Sequence, residues 1–348
     1  MRNCFIIFFL LLITLTTSAQ LSSEKLIRQG VALHDKGRYK DAIKCYEEAL
    51  KVNPSSMSAV YEMSLSYLHL KDYDKALRYS GRVITGNFQP LLMDAYIVKG
   101  TALANQNKIA DAINTFNEAV EKCGDEYLLH FNLGLSYFNG KNNEMAIRHL
   151  QKAIEIDATH ASAFLLYAYA LNDMGRWVQS FYSFHFFLLL EPNTERSKDA
   201  FGEMYDLLIA NYDNEPAKLG LEGGIDRRMI YESIKKIRPA TNDAASQYKY
   251  FVEASKQIFF SLGQLQNDTQ SGLMWFFFVP TYDEIVGLGH FESYCRYISV
   301  SYFPESLEWW DKHKTQVDNF IEWFEQGQGG GDEEADFGDD SDLEEPAP

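Results

Sequence analysis

Five side chains in the carboxy-terminal third are of types that do chemistry: Asp283, Glu284, His290, Glu292 and Cys295. A thiol held beside an imidazole would make a nucleophile–base pair. His290 and Cys295 are five residues apart, so on one helix they point about 140° away from each other, at about 100° per residue. That spacing does not make such a pair. Asp283 and Glu284 follow Pro280, where acids in a first helical turn favour the helix dipole, and this structural role accounts for them. Trp309, Trp310 and Trp323 are platforms on which sugar rings could stack, although packing is the commoner fate of tryptophan. The four cysteines, Cys4, Cys45, Cys123 and Cys295, form no CxxC pair, so a zinc site of the usual spacing is not supported. If the amino terminus is removed, Cys45, Cys123 and Cys295 remain, an odd number that leaves at least one free thiol, and all three read as small apolar core residues. No catalytic residue, metal-ligand set or cofactor site is identified, and the chain reads as a protein that is not an enzyme.

The formal charge of the 348 residues is −17. That balance excludes nucleic acid as the expected partner, because phosphate binding needs clustered Lys and Arg. Nine acidic residues and no basic one lie between Asp332 and Glu345, after Gly327-Gln-Gly-Gly-Gly331. Residues 327–348 therefore read as a Gly-rich linker and a disordered acidic tail. The sharper role for such a tail is docking to a basic partner.

The first residues read as an address. Met1-Arg2-Asn3 is short and basic, Cys4 to Leu15 is almost wholly apolar, and Thr17 and Ala19 are small. This pattern resembles a secretory signal peptide cleaved near Ala19, covering residues 1–19. The apolar run is too short for a transmembrane anchor, which needs about 20 residues. A lipoprotein signal would place a cysteine after the run, and Cys4 lies before it. The expected location is periplasmic or otherwise extracytoplasmic.

Between these ends one pattern repeats. Tyr127 to Tyr137 forms one apolar helix and Met145 to Asp157 a second, and from Ala161 the pair begins again and closes at Glu191-Pro192. Equivalent small residues Gly30, Ser64, Gly100, Gly134 and Ala168 recur at steps of 34, 36, 34 and 34. On the second helices, Ala42, Tyr46 and Ala49 correspond to Ala112, Phe116 and Ala119, with Pro54 at the exit of the first unit. This layout resembles the tetratricopeptide repeat (TPR), a helical hairpin that cannot bury its own apolar face and must stack. The implied fold is all-α: a TPR α-solenoid of about five hairpins plus a capping helix, then a further mainly helical region and the acidic tail. The repeats span about 23–56, 57–92, 93–126, 127–160 and 161–194, with a capping helix over 195–211, so that the solenoid occupies 20–211 and the carboxy-terminal region 212–326. The fifth unit departs from the pattern. Its second helix, Phe181 to Leu190, is apolar nearly all round, with Phe187 where a small residue is usual. Such a helix must be buried on every side, so the capping helix and the carboxy-terminal region are expected to cover it.

In the family, the first helix of each hairpin lines a concave groove that takes ligands. The resemblance carries this role to Ile27 and Val31, Tyr61 and Leu65, and Ile97, Val98 and Thr101. It extends to Phe131, Asn132, Leu135 and Asn139, and to Leu165, Leu166 and Tyr169. The carboxylate-clamp subclass needs basic groove residues. Only Asn132 and an edge Arg28 are present here, so clamp recognition is disfavoured. An apolar, aromatic groove suits an amphipathic helix or an extended segment, and it is equally suited to being filled by the chain's own carboxy-terminal half.

From Asp213 the repeat fades, and Asn214 to Gly224 reads as a loop. Helices are expected over Asp226 to Ile237, Ala244 to Leu262, Tyr282 to Val300 and Leu307 to Gln326. Leu273 to Val279 reads as a buried helix ended by Pro280, since nothing else supplies strands. The functional expectation is a non-catalytic scaffold or adaptor of the cell envelope, within an envelope complex, holding a peptide segment or helix of a partner protein in its groove. The alternatives are a docking module attached to a small helical hydrolase or carbohydrate-binding domain, and a structural subunit whose groove is self-filled.

Overall fold

Each repeat begins with a helix that stops at a fixed point, and the chain spells that stop with whatever residue stands there. A computed structural model describes residues 22–213, 221–222, 225–237, 241, 243–267 and 270–329. The expected signal peptide, most of the loop over 214–224 and the tail from 330 onward lie outside the described residues. The chain divides into two compact units, 1–142 and 143–348, and each is taken by itself.

The first unit holds α1 (residues 22–34), α2 (Tyr39–Val52), α3 (Met57–His69), α4 (Tyr73–Thr85), α5 (Leu92–Asn105), α6 (Ile109–Cys123) and α7 (Tyr127–Asn139). A 3-10 turn, Gln89–Leu91, takes up the extra length of the second repeat before α5. Ser56 and Asp72 cap α3 and α4 by accepting from the backbone of Ala59 and Lys75. The odd-numbered helices close in the same way. Gly37, Lys71, Asn107 and Lys141 all take φ between +61° and +71°. The next residue's N–H then reaches five residues back: Arg38 to Leu33, Asp72 to Tyr67, Lys108 to Leu103 and Asn142 to Tyr137, each at 2.9 Å. This is the left-handed closure that glycine favours, here imposed on Lys and Asn as well.

The small residues at the equivalent positions do what close approach requires. A Cβ on Gly30 would stand 2.2 Å from the Tyr46 ring, and one on Gly100 would stand 2.3 Å from Phe116. The gap left by the missing methyl is thus filled by the aromatic ring of the second helix. Around these contacts sit apolar clusters: Ala42, Ile43, Tyr46 and Met63; Val60, Val83 and Ala95; and Leu92, Tyr96, Phe116, Leu129 and Leu133 with their neighbours.

The second unit holds α8 (Asn143–Ile156), α9 (Ala161–Asp173), α10 (Trp177–Leu190) and α11 (Glu195–Asp213), then α12 (Arg227–Ile234) and α13 (Ala244–Gly263). It ends with α14 (Val279–Gly287), α15 (Phe291–Ile298), α16 (Glu305–Lys312) and α17 (Lys314–Gly329). Gly175, at φ +72°, repeats the left-handed closure after α9, with Arg176 N–H on Leu171 O. Helix α10 is the axis of this unit: every residue from Trp177 to Leu189 except Gln179 is buried. It packs on α9, α11 and α15 and on the segment before α14. The expected cover is therefore present, and α11 is the capping helix, two residues longer than the expected 195–211.

Five expectations for this region are corrected. The helix expected over 226–237 is shorter and is preceded by a two-residue antiparallel pairing, Leu221–Glu222 with Ile225–Asp226. Tyr282 to Val300 is two helices, because Gly289 at φ +78° turns the chain between α14 and α15. Leu307 to Gln326 is also two helices, parted at His313, whose Nδ1 lies 2.7 Å from the Trp309 carbonyl. The Gly-rich stretch does not begin as a linker, since α17 continues through Gly329.

The buried apolar run is helical as expected, but Pro280 does not end it. Met274–Phe278 is a π turn leading straight into α14, with Pro280 in the first turn of α14. Proline, which lacks the N–H that would continue the ladder, is accommodated by the wider π turn that precedes it. The wider turn lets the Val279 N–H reach Met274 O, and the Thr281 hydroxyl donates to Phe277 O at 2.7 Å.

Candidate partner-binding face

Helices α1, α3, α5 and α7 place the expected groove residues of the first unit. Ile27 and Val31 are half-buried against the Tyr46 and Met63 cluster, and Ile27 also lines a hollow of about 370 Å³ with Arg28, Met57 and Phe88. Tyr61 and Leu65 are half-buried over Ala76 and Ala102, and Ile97 lies over the Tyr96 and Phe116 cluster. Thr101, Asn132 and Leu135 are half-buried and Asn139 is exposed. Phe131 is half-buried and stacks on Tyr127, with ring centres 5.9 Å apart. The Asn132 amide donates to Leu128 O at 2.7 Å, so its donor serves its own helix.

Val98 is a correction. It is 2% exposed and belongs to the core with Ala76 and Ala102. One residue beyond Ile97, a rotation of about 100° carries it off the outer face and into the contact with α4. In the second unit, Leu165 and Leu166 are half-buried, but Tyr169 is engaged by its own chain. Its ring meets Phe184 edge-on at 5.5 Å. Burial, with Glu203 and Asp199 of α11 beside it, pushes its hydroxyl up to about 12.

The same face of the first unit carries polar residues that the sequence reading passed over. Glu62 and Asp94 are half-buried. Burial raises both carboxyls; at Glu62 the charges of Asp35 and Asp94 add to this, while the Tyr46 hydroxyl opposes it. Burial also raises the Tyr61 hydroxyl, with Asp94 and Glu62 adding to it. At the far end of the helices the His34, Tyr39 and His69 rings form a triangle with centres 4.9, 4.9 and 5.0 Å apart, and His34 Nδ1 lies 2.8 Å from Ser66 Oγ. Burial and the neighbouring His69 lower the His34 imidazole, against an opposing Asp35. The usable signal for Glu62 and Asp94 was present: both stand on first helices, next to groove positions already chosen.

The candidate chemical groups of the second unit do not combine. Cys295 is fully buried and burial drives its thiol well up, the reverse of what a nucleophile needs. His290 packs on Phe320 and Trp323, and it lines a hollow of about 430 Å³ with Glu292, Trp309 and His313 but without Cys295. Asp283 and Glu284 are exposed, and Glu284 accepts from the Trp323 indole at 3.0 Å. The tryptophan faces are occupied too. Trp309 stacks on His313 at 4.2 Å, Trp310 on Tyr297 at 5.3 Å, and Trp323 lies against Phe320 and His290. A larger hollow of about 530 Å³ is lined by Tyr248, Glu292, Arg296 and Phe303. There the Arg296 guanidinium lies 3.8 Å over the Tyr248 ring and bonds Glu292 at 3.0 Å. Cys45, Cys123 and Cys295 are free thiols. Among the described residues no group of three or more His, Cys, Asp or Glu is placed to hold a metal ion, and no helix is long and apolar enough to cross a membrane.

The tetratricopeptide repeat family matches residues 23–56 and again residues 97–161. Among curated proteins, BBSome complex member BBS4 of Bos taurus is 29% identical over 129 residues, 37% of this chain and 24% of that protein. Its Mus musculus counterpart is 27% identical over 125 residues, 35% of this chain and 23% of that protein. The match thus spans about a quarter of the length of these relatives. Among solved structures, a thermophilic TPR protein of Thermus thermophilus is similar at 21% identity over 54% of this chain and 100% of that one, with a TM-score of 0.44. PilF of Pseudomonas aeruginosa is similar at 15% identity over 68% of this chain and 99% of that one, with a TM-score of 0.49.

Proposed function

We propose, from the tetratricopeptide repeats that this chain carries, that it is a non-catalytic scaffold of the cell envelope that holds a peptide segment or helix of a partner protein. Repeats of this kind make protein-interaction surfaces, because stacking leaves one face of every first helix without a neighbour. The observation that carries the reading is the first-helix face of the first unit. There Tyr61, Leu65, Ile97, Phe131 and Leu135 remain half-exposed although the clusters beneath them are complete. Such a row of anchors suits a helix or strand laid across the repeats. Placement outside the cytoplasm rests on the leader-like residues 1–19 alone.

The test uses the full chain, because α10 would lose its cover in any form that stops after α11. A photo-crosslinking residue at Thr101 should capture a discrete partner in envelope extract, and the same residue at exposed Lys44 should not. Tyr61→Ala with Phe131→Ala should abolish the product while the helical circular dichroism is retained. Equal crosslinking at both positions, or a product indifferent to the pair, would overturn the proposal.

A further inference from the structure

We infer that the first-helix face of the first unit is built for a basic segment, in which a Lys or Arg side chain sits against Glu62 and Asp94 and apolar neighbours rest on Tyr61, Leu65 and Ile97. The inference rests on the scaffold reading above and names the chemistry of the occupant.

The argument starts from where cations are spent. Arg38 and Lys44 pair with Asp41, Lys51 with Glu48 and Lys75 with Asp72, all on or beside the second helices α2 and α4. On the opposite face, Glu62 of α3 and Asp94 of α5 have no ion pair among the described residues. The charges that act on Glu62 are those of other acids, Asp35 and Asp94. Yet both carboxyls are half-withdrawn from water. An ionised group so placed is costly unless an opposite charge compensates it, and nothing described in the chain supplies one. Arg28, on α1, is exposed.

A second observation points the same way. The Tyr46 hydroxyl belongs to a fully buried side chain and lies beside Glu62 and Ser66, but it makes no hydrogen bond of ordinary geometry. The nearest buried polar group to the Glu62 carboxylate is thus a neutral hydroxyl and not a cation that would compensate it. The apolar side chains on the same helices supply the area, and the two acids supply the sign. This arrangement is the charge inverse of a clamp for a peptide carboxylate. A neutral or acidic segment would leave both carboxyls uncompensated, so the occupant is set by complementarity.

The test is selection of displayed random peptides of about twelve residues, a length that spans several first helices, on the immobilised full chain, with Glu62→Gln/Asp94→Asn as the counter-target. Recovered peptides should carry net positive charge. A representative one should bind the double variant at least about tenfold more weakly, and its affinity for the unaltered chain should fall as salt rises. If neutral, apolar peptides are recovered that bind both forms equally but are lost on Tyr61→Ala/Phe131→Ala, the scaffold reading stands and this inference is overturned. If no recovered peptide responds to either pair, both fall.

Discussion

Gly100→Ala sets two well-measured effects against each other. In the middle of a helix, alanine is better than glycine by about 1 kcal/mol. Gly100 lies within α5, so propensity alone makes the substitution stabilising. The surroundings oppose it. The new methyl would stand 2.3, 2.5 and 2.7 Å from three atoms of the Phe116 ring, closer than carbon atoms can approach. Phe116 is 1% exposed within the cluster of Leu92, Tyr96, Leu129 and Leu133, so the ring has no solvent to swing into. Forcing a methyl into a packed core costs about 1–3 kcal/mol. The net expectation is a loss of up to about 2 kcal/mol once the gain in propensity is subtracted. At a urea slope of about 2 kcal/mol per molar this lowers the midpoint by up to about 1 M. Gly81→Ala is the matched control: it lies in α4 and its Cβ would meet nothing within 4 Å, so its midpoint should rise. In a Phe116→Leu background the clash is removed, and Gly100→Ala should change sign. If Gly100→Ala raises the midpoint as Gly81→Ala does, the small residue is not there for close approach, and the packing account of the repeat fails.

Two further perturbations probe other terms. His185 is fully buried and burial lowers its imidazole well below 6.5; it stacks on Phe251, meets Phe181, Phe259 and Tyr282 edge-on, and has Tyr294 Oη 2.5 Å from Nδ1. It is therefore neutral in the fold, and its contribution is complete above pH 6.5 and lost as pH falls below that, by up to about 1.4 kcal/mol per unit. His185→Phe should flatten the fall in urea midpoint between pH 6.5 and 5, and unchanged slopes would contradict this placement. Lys71 holds φ +62°, a conformation that costs an L-residue about 1–2 kcal/mol and glycine nothing, less about 0.5–1 kcal/mol for glycine's freer unfolded chain. Lys71→Gly should thus raise the thermal midpoint slightly, and a fall would mean that the lysine side chain contributes an interaction of its own.

The repeats were legible because they carry redundant signals. The small residue recurs in all five units, and a ring (Tyr46, Phe116, Phe184) and an exit proline (Pro54, Pro90, Pro192) each recur in register in three of them, so a departure at one position is corrected by the others. The left-handed residue that ends each first helix was not legible, although Gly37, Lys71, Asn107, Lys141 and Gly175 stand in the same register. Only two of them are glycine, because the five-back hydrogen bond imposes the conformation and the side chain merely tolerates it. Beyond α11 no second copy of the pattern exists to correct the reading. The apolar period runs on through Gly289 and His313, where the backbone turns, and Pro280 looked like a stop because the π turn that accommodates it has no sequence mark. On the candidate face the repeat register marks the apolar first-helix positions, whereas Glu62 and Asp94 fall outside it, because a carboxylate clamp is marked by cations and not by acids.

How the array ends follows from one position. In the first and third repeats the second helix carries Ala49 and Ala119 where α10 carries Phe187, all fully buried. An alanine there leaves a shallow surface on which another hairpin can stack. Phe187 makes the surface bulky, and Phe181, Phe184, Phe186 and Leu188 complete an apolar girdle around α10. The fifth repeat keeps its small residue, Ala168, and adds polar ties: Ser180 donates to Ala168 O at 2.8 Å and Ser183 to Phe164 O at 2.7 Å. These bonds hold α10 to α9 from within and leave the rest of the helix free for other neighbours. Those neighbours are Phe251 and Phe259 of α13, Tyr282 of α14 and Tyr294 of α15 on His185, with Phe277 of the π turn on Phe164 and Phe186. A repeat whose second helix is apolar all round cannot pass the stacking surface on, so the helices after α11 follow as the cover it requires. The use of the aromatic side chains is a consequence: the second unit spends most of them on covering α10, while Tyr61 and Phe131 of the first unit stay half-exposed.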